Sequence, residues 1–302
     1  MKQLVYIIIG LVFYSTFGQQ EAQYSQYMYN MNVVNPAYVT NNPGVVYLGS
    51  LYRRQWTGLE GAPNTANVFA NIPLSEKTEL SVNYLNDRIG ENVVLNDHLF
   101  TVDYAYILKL SPKTRLSLGI KAGVNNLSLD ATNSNVSGDP NIQNNSTTAL
   151  TLGAGAYIFT DNFYAGISSP NFPSYSLEVD EESQYTNKTQ LYITAGYVYP
   201  LNSNVKLKPS TVVKQAFGAP MSFDVSLNAL FYEKFEVGSS YRYQDAIAIM
   251  AAVNITYNFR IGYAYDYNIS KLGDFNNGSH EVILLYNLDF VKTRKYTSPR
   301  FF

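Results

Sequence analysis

Few residues in this chain have the types and spacing that chemistry needs. His98 and His280 are its two histidines, and either could serve a membrane hydrolase only with a serine and a carboxylate in hydrogen-bond reach. Each falls at or near the start of a strand-like segment, and the simpler reading is a histidine at a barrel rim. No Gly-x-Ser-x-Gly, His-Glu-x-x-His or phosphate-loop pattern occurs. Cysteine is absent, so there is no thiol nucleophile, thiolate metal site, disulfide or acylated N-terminal cysteine. Asp180-Glu181-Glu182 lacks the spaced oxygen ligands of a calcium loop and reads as a solvated acidic loop. The expectation is a protein that is not an enzyme, with no catalytic, metal or cofactor-binding residues and no cofactor.

One cluster is more specific. Arg53-Arg54-Gln55-Trp56 ends a strand-like segment and is followed by Thr57-Gly58-Leu59-Glu60-Gly61-Ala62-Pro63. Arginines at a rim can hold anionic lipid. Arginine and tryptophan are also favoured anchors of protein interfaces, and the residue types leave both readings open. Gly153-Ala154-Gly155-Ala156 lies within another such segment, where small residues permit something in a lumen to pack closely.

The elements that must position these residues follow from composition and periodicity. Only 15% of residues are charged while 15% are aromatic, with 27 tyrosines and one tryptophan, which suggests that part of the surface faces something other than water. The balance of 21 basic and 23 acidic residues gives no polybasic tract for a phosphate backbone, so nucleic acid is not an expected partner. Lys2, the apolar run 4–13 and small residues before Gln19 read as a signal peptide over residues 1–18.

From residue 44 to residue 290 one pattern repeats: about ten alternating residues, then a turn, as expected of strands with one face in lipid and one in a polar lumen. Phe223, Val225, Leu227, Ala229 and Phe231 alternate with Ser222, Asp224, Ser226 and Asn228. Ile261, Tyr263, Tyr265 and Tyr267 alternate with Arg260, Gly262, Ala264 and Asp266, and Leu116, Leu118, Ile120 and Ala122 with Arg115, Ser117, Gly119 and Lys121. About fourteen segments begin near Val45, Ala66, Glu79, Leu95, Arg115, Thr148, Phe163, Thr189, Val205, Ser222, Phe235, Ala246, Arg260 and His280. Connectors after the even-numbered segments are short, whereas those after the odd-numbered ones include 56–64, 130–146, 169–187 and 270–279, although two odd-numbered connectors, 217–220 and 244–245, are short as well. Short periplasmic turns and longer external loops give this asymmetry in outer-membrane barrels. Tyrosines at segment ends, among them Tyr104, Tyr106, Tyr197, Tyr199, Tyr241, Tyr243, Tyr257 and Tyr286, suit two interfacial girdles. A secreted β-sandwich or β-helix also has many strands, and tyrosine favours any sheet.

The expected fold is therefore all-β: a transmembrane antiparallel β-barrel over residues 44–290, with both termini periplasmic. Residues 19–43 do not alternate and form either a periplasmic segment or a plug in the lumen, because a barrel this wide encloses more space than its side chains fill. Residues 291–302 form a periplasmic tail. The Asn-rich loop 133–145 is read as external.

Several motifs in order carry a family resemblance. Tyr24-Ser25-Gln26-Tyr27-Met28-Tyr29-Asn30, Asn35-Pro36-Ala37-Tyr38 and Tyr52-Arg53-Arg54-Gln55-Trp56 with Gly61-Ala62-Pro63 open it. Asn86-Asp87-Arg88-Ile89-Gly90, Tyr104-Ala105-Tyr106, Tyr265-Asp266-Tyr267, Gly278-Ser279-His280-Glu281 and Pro299-Arg300-Phe301 follow. Together they resemble the PorP/SprF proteins of the type IX secretion system of Bacteroidota. The resemblance implies an outer-membrane barrel that receives, helps export or anchors at the cell surface a secreted protein with a C-terminal sorting domain, of the gliding-adhesin type. It implies other secretion components as further partners, and outer-membrane lipid or lipopolysaccharide surrounds any such barrel. Candidate partner-binding residues are then Arg53, Arg54, Gln55, Trp56, Asp87, Arg88, His280 and Glu281. The family often shows a cysteine before the terminal Pro-Arg-Phe, where this chain has Ser298, so any role for that cysteine does not carry over. The alternative function is transport, through an open porin or a plugged channel for a hydrophobic ligand.

Overall fold

The computed structural model describes residues 23–131, 144–178, 184–216 and 219–290. The signal-peptide segment, Asp180-Glu181-Glu182, most of the Asn-rich loop and the tail 291–302 lie outside the described residues.

Fourteen antiparallel strands close on themselves. They are β1 (Val45–Arg54), β2 (Asn64–Pro73), β3 (Thr78–Ile89), β4 (Val94–Lys109), β5 (Arg115–Asp130), β6 (Asn145–Phe159) and β7 (Phe163–Phe172). The second half is β8 (Gln190–Tyr197, continued by Tyr199–Pro200), β9 (Val205–Ala216), β10 (Ser222–Phe231), β11 (Phe235–Arg242), β12 (Ala246–Asn254), β13 (Phe259–Asn268) and β14 (Ser279–Asp289). Consecutive strands pair, and β1 also pairs with β14, from Val45 opposite Asp289 to Arg54 opposite His280. Every barrel strand therefore has two neighbours, which satisfies its backbone groups without water and leaves no edge open to lipid.

The alternation sorts side chains in the opposite sense to a soluble domain. On β5, Ser117 and Lys121 are buried while Leu118 and Ile120 are 46% and 64% exposed. On β10, Asp224, Ser226 and Asn228 are buried while Val225 and Leu227 are each 51% exposed. A continuous wall of exposed Leu, Ile, Val and Tyr around a polar interior is stable where hydrocarbon surrounds it. No helix among the described residues is long and apolar enough to cross a membrane.

The strand starts follow the sequence pattern to within a few residues, with two differences. The strands β4, β5 and β6 are longer than the repeat suggests, at 16, 16 and 15 residues. The connector expected from residue 169 begins only after Phe172, because β7 shifts register between Leu152 and Ala154 and pairs Phe172 with Leu152. That connector also carries a hairpin of two short strands, Tyr175–Glu178 and Gln184–Asn187. The compact turns 74–77, 110–114, 160–162, 201–204, 232–234 and 255–258 share one end of the barrel, here called the short-turn rim. The opposite end is the long-loop rim.

Residues 23–43 lie inside the barrel. The chain makes a 3-10 turn at Tyr27–Tyr29 and one α-helical turn at Met31–Val34, and Asn32, Asn35, Ala37 and Thr40 are fully buried. The segment starts beside Arg53, near the long-loop rim, and passes into β1 at the short-turn rim. Eight strands suffice to enclose a lumen that side chains fill, so fourteen leave space for a stretch of chain.

Candidate functional site in the lumen and at the long-loop rim

The pairing of β1 with β14 and of β14 with β13 sets Arg53, Glu281 and Asp266 side by side on the lumen wall. Arg53 bonds Asp266 at 2.7 Å and Glu281 at 3.1 Å. Glu281 then accepts the backbone N–H of Ser25 at 3.0 Å and of Gln26 at 2.8 Å. The Ser25 hydroxyl donates to Asp266 at 2.6 Å, from a position 241 residues away in the chain. Arg242 lies 3.7 Å from Asp266 and 3.1 Å from Asp224. Four of the recurring motifs, those containing Ser25, Arg53, Asp266 and Glu281, thus meet at one point. Buried carboxylates and guanidiniums are costly to desolvate unless paired and hydrogen-bonded, and the N–H groups of residues 25 and 26 add two hydrogen bonds to Glu281.

Further contacts hold the rest of the segment. Glu79 accepts the Thr40 N–H at 2.8 Å and its hydroxyl at 2.9 Å. The Lys121 ammonium donates to the Asn32 carbonyl at 2.8 Å and sits 3.6 Å from Asp103. Asn35 donates to the Ala156 carbonyl at 3.1 Å, and Ser168 to the Val34 carbonyl at 2.7 Å. Arg260 bonds Glu236 and donates to the Tyr29 hydroxyl at 2.9 Å. Two glycines make room: a Cβ on Gly119 would lie 2.3 Å from the Pro36 carbonyl oxygen, and one on Gly155 would lie 2.2 Å from Asn35 Oδ1. Gly155 belongs to the run read from sequence as a close-packing stretch.

The eight residues singled out from sequence divide between two places. Arg53 and Glu281 face the lumen and are spent on each other and on the N-terminal segment; Arg53 is not on the rim surface. Asp87 is half-buried and accepts the Thr65 hydroxyl at 2.6 Å. Gln55 is buried, and its N–H donates to the Pro63 carbonyl at 2.9 Å. Arg54 and Arg88 point outward and are exposed. The half-buried Trp56 has a φ of 42°, a conformation bulky residues rarely adopt, and its N–H donates to Ser279 Oγ at 3.1 Å. The next residue zips this loop to the β13–β14 loop: Thr57 N–H to the Gly278 carbonyl at 2.8 Å, and Asn277 N–H to the Thr57 carbonyl at 2.7 Å. The sequence does not single out Asp224, Glu236, Arg242 or Arg260 as site residues; a charge on the lumen-facing side of a strand is the signal that marks each.

The histidines lie on the outer wall. His98 bonds the Tyr84 hydroxyl at 3.0 Å and Asn86 at 3.2 Å, and His280 bonds the Tyr263 hydroxyl at 2.6 Å. Their hydrogen-bond partners are tyrosine and asparagine, not the serine and carboxylate that hydrolysis would need. Among the described residues no three His, Asp or Glu side chains cluster so as to hold a metal ion.

Among solved structures, the toluene transporter TbuX of Ralstonia pickettii is 10% identical with a TM-score of 0.55, covering 86% of this chain and 93% of its own. The monoaromatic hydrocarbon channel CymD is 10% identical with a TM-score of 0.52, covering 89% of this chain and 94% of its own. At that identity the likeness concerns the barrel fold alone. No curated protein matches the chain significantly. The family model described as type IX secretion system membrane protein PorP/SprF matches residues 16–286, and the chain belongs to this family.

Proposed function

We propose that this outer-membrane barrel receives, helps export or anchors at the cell surface a secreted protein with a C-terminal sorting domain. The carrying observation is the lumen, where the chain's own segment is held by carboxylates, lysine and arginine on many strands. A wall organised to hold its own chain is not organised as a path for solutes, and the working surface moves to the long-loop rim. The two zipped loops there expose Leu59 (38%) on one and Phe275 (70%) on the other, and the first also carries the half-buried Trp56, apolar and aromatic side chains of the kind that anchor interfaces. In this reading the short-turn rim, with both ends of the barrel, faces the periplasm, residues 1–18 are a removed signal peptide, and the long-loop rim faces out. Of the eight candidates, Trp56 is the partner contact, while Arg53 and Glu281 act inside. The alternative, transport of small or hydrophobic solutes, draws on the fold likeness to transporter barrels.

Affinity isolation of the tagged barrel from native outer membranes after surface labelling tests the proposal. Co-isolation of a surface-labelled secreted protein carrying a sorting domain is expected. Recovery of the barrel with no such protein, together with robust channel conductance, would overturn it.

A further inference from the structure

Two arginines on the outward-facing wall, Arg54 and Arg88, have no partner among the described residues. The register places Arg54 directly opposite Asn64 and Asn64 directly opposite Arg88, so β1, β2 and β3 present Arg, Asn and Arg in one outward row at the long-loop rim. Directly opposed residues have Cβ atoms ~5 Å apart, which sets the two arginine stems about 10 Å apart. Neither guanidinium makes an ion pair or hydrogen bond among the described residues, and both are exposed. His280 flanks Arg54 in the same row, and Asn96 flanks Arg88. The carboxylates nearest in sequence do not neutralise them: Asp87 faces inward to Thr65, and Glu60 and Glu91 sit in the loops beyond, with no ion pair to either arginine. Cations at this level of a barrel wall meet lipid headgroups.

A second feature lies below them on the same strands. An outward groove runs across β14, β1, β2 and β3, floored by Ser50 and Ala70 and walled by Leu48, Val68, Tyr84 and Leu284. Its lining is almost wholly apolar. Ser50 is four residues from Arg54, which puts the groove ~13 Å down the wall at ~3.4 Å per residue, at the depth of acyl chains and not of headgroups. The small floor residues between bulky walls leave the furrow.

We propose that this row and groove form a site for one molecule of a diphosphorylated acyl glycolipid, the lipid A class, with a phosphate on each of Arg54 and Arg88, Asn64 between them, and an acyl chain in the groove. A sugar backbone carrying two phosphates spans a pair of cations this far apart, whereas a single-phosphate glycerophospholipid engages only one. The site uses Arg54 and Arg88 as lipid ligands; it rests on the reading that the long-loop rim faces out and is independent of the secreted partner.

The test is native mass spectrometry of the whole barrel in micelles, titrated with diphosphoryl lipid A, monophosphoryl lipid A or phosphatidylglycerol, with heat-modifiable mobility confirming assembly. Diphosphoryl lipid A should bind at one copy, at least tenfold more tightly than either single-phosphate lipid. Arg54→Gln and Arg88→Gln should each weaken it severalfold and the double variant at least tenfold. Ala70→Trp, which fills the groove and leaves the charges, should weaken it as well. Equal binding of the three lipids, or binding unchanged in the double variant, would overturn the two-phosphate site. Binding unchanged in Ala70→Trp would overturn the acyl groove.

Discussion

Replacing Glu281 by alanine should release the front of the N-terminal segment while the barrel stays closed. The carboxylate accepts two backbone N–H groups, from Ser25 at 3.0 Å and Gln26 at 2.8 Å, in a fully buried setting. Hydrogen bonds to charged groups contribute ~1.5–3 kcal/mol each, so their loss costs the inserted state about 3–6 kcal/mol. Arg53 keeps Asp266 at 2.7 Å, and the β1–β14 ladder runs through backbone groups that the substitution leaves alone. At ~1.4 kcal/mol per decade, even the lower figure raises the detached population by roughly a hundredfold. Because the chain has no cysteine, Met28→Cys supplies a single thiol at a site only 2% exposed. The rate at which a membrane-impermeant maleimide labels Met28→Cys with and without Glu281→Ala then reads the released fraction. A rate rise near a hundredfold, with heat-modifiable mobility intact, is expected. An unchanged rate in an assembled barrel would refute the reasoning, since Glu281 would then not be what holds residues 25 and 26.

Gly119→Leu should displace the segment at its other end, because even a Cβ there would lie 2.3 Å from the Pro36 oxygen; limited proteolysis of residues 30–43 should become detectable in an assembled barrel. Ile120→Arg places a charge on the lipid face at a site 64% exposed and should cost about 2–4 kcal/mol in urea unfolding from bilayers, whereas Lys121, next in the chain, faces inward and carries its charge without that cost. Trp56→Ala combined with Leu59→Asp should leave assembly unchanged and reduce retention of the secreted partner at least tenfold, in the range of about 2–4 kcal/mol for interface anchors. Arg53→Ala, by contrast, should raise labelling of Met28→Cys in the way Glu281→Ala does, since Arg53 orients both Asp266 and Glu281.

The wall was legible in the sequence because lipid and lumen impose a period of two that nothing else in the chain imitates. Leu118 and Ile120 against Ser117 and Lys121 have to face opposite ways whatever the partner strands are. The path of residues 23–43 was not legible, since a stretch that touches many strands at once shows neither a period of two nor one of 3.6. Asn32, Asn35 and Thr40 look like loop residues by type, and they are buried because Lys121, Gly155 and Glu79 happen to lie opposite them. The site was legible only in part for a related reason. Arg53 and Arg54 are adjacent and read in sequence as a pair, yet strand alternation sends one into the lumen and the other to the lipid. Arg53, Asp266 and Glu281 come together only when β14 closes on β1, a contact no local pattern announces. Their motifs were each recognisable, and the ion-pair cluster gives a physical reason why they occur together.

Single-channel recording of the purified barrel in planar bilayers tests the central claim, that the lumen is occupied by the chain's own segment. A closed baseline is expected for the unmodified protein, broken at most by brief openings when the segment detaches. A persistent ohmic conductance from the unmodified protein would contradict it, since Ser25, Asn32 and Thr40 could not then occupy the lumen on Glu281, Lys121 and Glu79.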